Sequence, residues 1–467
     1  MKQRRRKIHK TLPEIQAPPV EATITITRLA HRGHGVGTLH GRTIFVPRTA
    51  PGDVVQVRLT DQRSRYAFGE VVALQQASPW RVPAPCPLYE QCGGCHLQHL
   101  DYARQLESKT QQVQDALTRI GKLPEVPVAP MLGSPQPFAY RNKVLYHYDP
   151  GTGALGLVER RGTQILDMPR CVISDPRADA VMARLRALAA THGGLRQSLH
   201  QVQVQVGQRT AEVLVTVIVH TPLSAALQQV LWEHLRDLAT GVMMHHKAHD
   251  TPAVFDGTTT SIAGATCIHE RIGTQRFRIE PQAFFQVNTV QMERLYALVQ
   301  EAAALRGHEV VLDLYSGGGT IALTLAPQCG CVYAVDNDRQ AMLLAQQQSL
   351  ACGITNCQFR TGKVERILYR YLAQRVRADV AILDPPRAGC RPEALQALAL
   401  MRLTRLVYVS CSPPTLARDL RLLHDLGYRT TVVQPVDMFP QTYHIECVAT
   451  LTRVVAAESG SHGDGRG

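Results

Sequence analysis

The stretch "EVVLDLYSGGGTIALTLA", residues 309–326, limits what this chain can fold into more than any other. Val310–Leu314 read as a buried strand, Gly317, Gly318 and Gly319 as a tight loop, and the residues after them as a helix. Small residues let a ligand approach the backbone, and a helix start presents unpaired N–H groups. A lone glycine loop is a weak signal. It gains weight from "CVYAVDND", a second strand whose end, Asp336, lies about 20 residues on, where a carboxylate can accept both hydroxyls of a ribose. The loop is not G-x-G-x-x-G, which argues against a dinucleotide. A third strand, in "ADVAILDPPRAG", ends at Asp384. Strand and helix patterns alternate over residues 285–454, so the expected fold class is α/β with a doubly wound, Rossmann-like parallel sheet. Ligands of such sheets bind in the crevice at the carboxyl ends of the strands.

The next strand, in "LVYVSCSPPTLARDL", ends at Cys411, so this thiol also faces the crevice. Most free cysteines are small core residues. Cys411 instead sits where the chain must turn, before Pro413 and Pro414. In "HIECVATL", Glu446 opens a final strand and is a candidate base in the same pocket. Uracil C5 chemistry asks for such a set. C5 is a poor nucleophile until a thiolate adds to C6. A carboxylate must then remove the C5 proton after a methyl group has arrived. This is covalent catalysis by a low-pKa cysteine with a general base.

Upstream, residues 16–75 read as an OB-like β-barrel. "EATITITRLA" alternates at period 2, and Gly33, Gly35, Gly37 and Gly41 fall at turn positions. The turn glycines and arginines suit an RNA-binding barrel. "CPLYEQCGGCHLQ" places Cys86, Cys92 and Cys95 at C-x5-C-x2-C, with Gly93 and Gly94 permitting a tight turn. A fourth ligand must come from elsewhere, and Cys171 in "DMPRCVISDP" is the best candidate. Four thiolates suit zinc or a [4Fe–4S] cluster alike. Residues 101–122 read as a helix, and strands such as "QVQVQVG" make 76–284 a β-rich central domain.

"DLYSGGGT" is similar to the first motif of S-adenosylmethionine-dependent methyltransferases. With "CPLYEQCGGCHLQH", "YRNKV", "FFQVN", "LDPPRAG", "YVSCSPPTLARD" and "DMFPQTYHIECV", it makes the chain resemble the RNA (uracil-5-)-methyltransferase family over residues 20–454. The closest resemblance is to the TRAM-bearing, iron–sulfur form that acts on 23S rRNA. The resemblance implies Cys411 as nucleophile and Glu446 as the C5 base. It implies S-adenosylmethionine contacts from Gln286, Tyr315, Asp336 and Asp384, and a [4Fe–4S] cluster on Cys86, Cys92, Cys95 and Cys171. By pattern alone, Gln286 reads as a solvated amide at a strand end, and Phe284 and Phe285 as core. The chain departs from the family at Ser412, usually Asn, at Asp336, often Glu, and at Glu280, where a Ser-Pro pair is usual.

A net charge of +13 favours a polyanionic partner, since neutralised phosphates release counterions. Arg4, Arg5, Arg6 and Lys7 form a basic tail over residues 1–15, and 456–467 read as a second disordered tail. No apolar span or secretory leader is evident, so a cytoplasmic enzyme is expected, with RNA as partner and no obligate protein partner. The alternatives are a tRNA uracil-5-methyltransferase and a non-catalytic RNA-binding assembly factor. A nitrogen methyltransferase would not need Cys411, and an aromatic residue is usual there where Arg387 stands.

Overall fold

The computed structural model describes residues 21–249 and 251–454. Both tails expected from the sequence lie outside these residues. The chain divides into two compact units. One comprises the described residues through Val82 with His99–Asp101. The other comprises Pro83–Gln98 and the described residues from Tyr102 onward.

The first unit is a sheet in the order Glu21–Thr25, Val54–Gln62, Tyr66–Gln76, Arg42–Val46, Gly35–Leu39 and Arg28–Leu29. Alternation is clearest in Val54–Gln62, and Ile24, Ile44, Val55, Val57 and Ala67 are among the core residues. Gly33 and Gly41 take the positive φ of turns, as expected. Gly35 and Gly37 instead lie inside a strand. A Cβ on Gly35 would stand 2.0 Å from Thr49 Oγ1, so close approach of another segment requires glycine there.

The second unit holds two large sheets. The first runs Gly257–Gly264, Gly241–Lys247, Val213–Val219, Leu199–Val206, Lys143–Tyr148, Leu155–Val158 and Ile165–Asp167. Its strand Val213–Val219 is buried on both faces. The glutamines of "QVQVQVG" are buried too. Gln203 Nε2 donates to Pro281 O at 2.7 Å and Gln205 Nε2 to Glu280 O at 3.2 Å. Burial of these amides is tolerated because each has a partner.

The second large sheet runs Cys357–Thr361, Cys331–Asp336, Val310–Leu314, Val380–Leu383, Arg405–Ser410, Glu446–Arg453 and Tyr428–Val436. The first five strands are parallel. Glu446–Arg453 runs antiparallel to both its neighbours. Runs such as "VVLDL", interrupted only by Asp313, and "VAIL" are apolar because helices cover both faces. Each fully buried Val, Leu or Ile contributes roughly 1.5–3 kcal/mol. Strand order reverses between Val310–Leu314 and Val380–Leu383, so the ligand crevice opens at their carboxyl ends. No helix among the described residues is long and apolar enough to cross a membrane.

Candidate active site

One cavity of about 690 Å³ opens at those strand ends, and Gln286, Tyr315, Asp336, Asp384, Cys411 and Glu446 all line it. The glycine loop forms one wall. Tyr315 leaves its strand at φ +63°, an uncommon conformation for a residue with a side chain. Gly319 sits at φ +73°, and a Cβ there would lie 2.8 Å from Ala345 Cβ. Gly317 and Gly318 face open space, so a ligand can reach their backbone. Asp313, below the loop, accepts Ser316 Oγ at 2.6 Å and Ala322 N–H at 3.0 Å. Asp336 accepts Gly317 N–H at 2.9 Å and Asp338 N–H at 2.8 Å. A carboxylate has about four acceptor positions, so two remain for ribose hydroxyls.

Cys411 follows the strand Arg405–Ser410 and precedes the helix Pro413–Asp425. Prolines at the first helical positions stop the strand cleanly, since they need no N–H partner there. Ser412 caps this helix without a side-chain hydrogen bond. The expectation of a low-pKa thiol fails. Burial, then the nearby Glu446 and Asp384 carboxyls, push Cys411 up to about 11 against the opposing Arg387 guanidinium. Burial also raises Asp384 to about 7, with Asp313 adding repulsion. Glu446 is raised well above the usual carboxyl range by burial and by Asp384. Burial first, and the neighbouring carboxyls second, therefore hold protons on this set. A bound cation reverses that balance by favouring the thiolate and carboxylate forms.

Gln286 is positioned through its backbone. Asn142 Nδ2 donates to Gln286 O at 3.1 Å and to Thr289 Oγ1 at 3.0 Å, which joins "YRNKV" to "FFQVN". Both rings line the cavity, but Phe285 is buried as core, as expected, whereas Phe284 is 78% exposed. Adjacent identical rings point opposite ways in extended chain, and pattern alone does not say which is inside. Arg387 and His444 also line the cavity, and Arg387 Nη2 donates to His444 Nδ1 at 3.2 Å. Their places at strand ends beside Asp384 and Glu446 were the available signal. Glu280 is not on the cavity wall; it pairs with Arg278 at 3.3 Å.

Cys86, Cys92, Cys95 and Cys171 are all buried in one apolar cluster with Tyr140. Burial raises the Cys86 thiol, and raises Cys95 to about 12, with the other three thiols adding repulsion at Cys95. Leu88 N–H lies against the Cys86 thiol, and Gly94 N–H is 3.3 Å from Cys92 Sγ. Gln98 favours the Cys95 thiolate, yet its Nε2 is buried without a partner in full hydrogen-bond geometry. Four gathered thiols with N–H donors and one orphaned amide fit a group held by thiolates. Among the described residues, no group of three or more His, Cys, Asp or Glu is arranged to hold a metal ion. Gly93 and Gly94 do not take positive φ, so the turn does not depend on glycine as the spacing suggested.

A doubly wound sheet with an antiparallel final strand, and a glycine loop and ribose-competent Asp336 at its crevice, define an S-adenosylmethionine-dependent methyltransferase. Residues 101–454 match the tRNA (Uracil-5-)-methyltransferase family, and residues 21–72 match the TRAM domain. The chain belongs to that family of RNA (uracil-5-)-methyltransferases. An uncharacterized RNA methyltransferase of Halalkalibacterium halodurans is 39% identical over 92% of this chain and 96% of its own. One of Gloeobacter violaceus is 38% identical over 92% and 96%. Among solved structures, the tRNA (uracil-54, C5)-methyltransferase of Pyrococcus abyssi, in complex with S-adenosyl-L-homocysteine, has a TM-score of 0.75. It is 26% identical and covers 92% of this chain and 100% of its own.

Proposed function

We propose that the chain methylates C5 of a uridine in structured RNA through a covalent adduct on Cys411. The convergence of Cys411, Asp384 and Glu446 on the cavity that also holds the glycine loop and Asp336 carries this reading. S-adenosylmethionine supplies an electrophilic methyl group and a positive charge. Asp336 holds its ribose, while Gln286, Tyr315 and Asp384 hold the rest. Cys411 Sγ, as thiolate, adds to C6 and makes C5 nucleophilic. C5 takes the methyl group as its bond to the sulfonium sulfur breaks, and S-adenosylhomocysteine is left. Glu446, as carboxylate, removes the C5 proton, the C6–S bond breaks, and the electron pair returns to sulfur. Arg387, beside the cavity, opposes the clustered negative charge. A uridine in folded RNA must leave its stack to enter, and the exposed Phe284 ring offers a surface to receive it.

For the substrate we propose 23S rRNA, on the resemblance carried by the cysteine motif and barrel. The Pyrococcus abyssi relative favours a second reading, tRNA. Tritium release from RNA labelled at uracil C5 tests both, with unmodified ribosomal and transfer RNA side by side. Cofactor-dependent release from one names the RNA class. Methyl incorporation without release overturns C5 chemistry in favour of nitrogen. No release and no incorporation favours an RNA-binding assembly factor.

We further propose the domains 16–75, 76–284 and 285–455, supported by a separate large sheet in each. The barrel serves as an RNA surface. Its Phe45, Tyr66 and Phe68 rings group at centroid distances of 5.6–6.0 Å and offer aromatic faces on which bases can stack. For Cys86, Cys92, Cys95 and Cys171 we propose a [4Fe–4S] cluster in a structural role. The gathering of the four buried thiols in one cluster, beside the Gln98 amide, supports this reading. Anaerobically purified protein should hold about four irons per chain; stoichiometric zinc without iron refutes this.

A further inference from the structure

Glu446 opens a strand, but residues 437–445 before it belong to no strand or helix. Their placement depends on what grips them. Much of the grip comes from the cysteine knot and the helix that follows it. His96 N–H and Leu97 N–H, directly after Cys95, both donate to Gln441 O, at 2.8 and 3.0 Å. Gln105 Nε2 donates to Gln441 Oε1 at 3.0 Å and also to Leu97 O at 3.0 Å. Tyr140, packed in the same cluster as the four thiols, donates its hydroxyl to Pro440 O at 3.0 Å. The His96 ring lies edge-on to Tyr443, with centroids 4.5 Å apart.

Gln441 is 2% exposed and sits at φ +67°. A buried residue with a side chain holds that conformation only where its surroundings impose it. Here the imposing contacts are the three hydrogen bonds to Gln441 from the knot and its helix, together with the Tyr140 bond that holds Pro440 just before it. Downstream of Gln441, His444 and Glu446 reach the cavity wall.

We propose that the cysteine knot is a brace for the base-bearing strand, with Gln441 as the positioning residue through which it acts. The catalytic half of this inference rests on Glu446 being the C5 base; the mechanical half does not. Disturbing the knot releases Gln441 from its left-handed turn and lets the start of the strand shift. Proton abstraction then slows more than the steps before it, so the methylated adduct accumulates.

The test compares full-length wild type, Tyr140→Phe and Cys95→Ser. Tyr140→Phe removes one strut and leaves every thiol in place. Hydrogen exchange is read at His96, at Leu97 and across 438–446, with Val310–Leu314 as internal reference. The brace predicts exchange faster by about fivefold or more at those amides, with the reference strand unchanged. It also predicts a larger fraction of RNA trapped as adduct in Tyr140→Phe. Should Cys95→Ser fail to fold, Tyr140→Phe still decides. Unchanged protection across 438–446 in Tyr140→Phe overturns the brace. Faster exchange with no gain in adduct upholds the brace and overturns Glu446 as the base.

Discussion

Burial gives Asp384 a pKa of about 7 in the cavity proposed above for the cationic cofactor, so S-adenosylmethionine affinity should depend steeply on pH. Below pH 7 the carboxyl is mostly neutral. A positive ligand favours its ionised form, so binding must expel a proton, and affinity falls as pH falls. If binding returns the group to the ordinary aspartate value of 3.8, the dissociation constant carries the factor (1 + 10^(7−pH))/(1 + 10^(3.8−pH)). Between pH 7 and 5 this weakens binding by up to about fiftyfold, on the order of 2 kcal/mol. Calorimetry at pH 5, 6 and 7, in buffers of differing ionisation heat, reads both quantities. At pH 6 about 0.9 proton should be released per cofactor bound. Asp384→Asn should bind more weakly at pH 7 and lose most of the slope. Asp313, raised to about 6, also titrates in this window, and a slope surviving in Asp384→Asn belongs to it. Equal affinity of wild type at pH 5 and 7 refutes the argument.

Cys411→Ala should abolish turnover while keeping cofactor affinity within a few-fold; unchanged turnover would sink the nucleophile. With its pKa near 11, only about one Cys411 in ten thousand is thiolate at pH 7, so iodoacetamide should label it slowly. S-adenosylmethionine should speed labelling and S-adenosylhomocysteine, which lacks the sulfonium charge, should not; equal rates would show that the sulfonium charge does not activate the thiol. Glu446→Gln should accumulate a gel-stable protein–RNA adduct, because methyl transfer precedes the blocked proton abstraction. Absence of any adduct counts against that role. Lys109 and Asp437 form a fully buried ion pair at 2.6 Å, with Tyr102 OH on the second carboxylate oxygen at 2.8 Å. Lys109→Met should cost about 3–5 kcal/mol in chemical denaturation by stranding Asp437, and adding Asp437→Leu should recover much of it. No recovery would mean that packing, not charge, sets the loss.

The sequence by itself determined the catalytic sheet and the residues at its rim. Strands buried on both faces need apolar runs, and those runs end at Asp336, Asp384 and Cys411 because parallel sheets open their crevice at carboxyl ends. Barrel alternation was equally legible, since period 2 follows from the pleat. The tertiary structure decided the rest. Phe284 and Phe285 are alike in chemistry and adjacent, and only the surrounding chain sends one to the cavity rim and the other to the core. Gln203 and Gln205 follow a half-exposed pattern, yet the 280–281 segment covers and satisfies them. Gly35 looks like a turn residue until Thr49 packs against it. The Cys411 thiol is raised rather than lowered because the fold buries it and then sets Glu446 and Asp384, remote in sequence, beside it. Lys109 and Asp437 meet across 328 residues. Periodicity and turn chemistry act between near neighbours in the chain. Desolvation and Coulomb interaction depend on distance in space, which the fold alone sets.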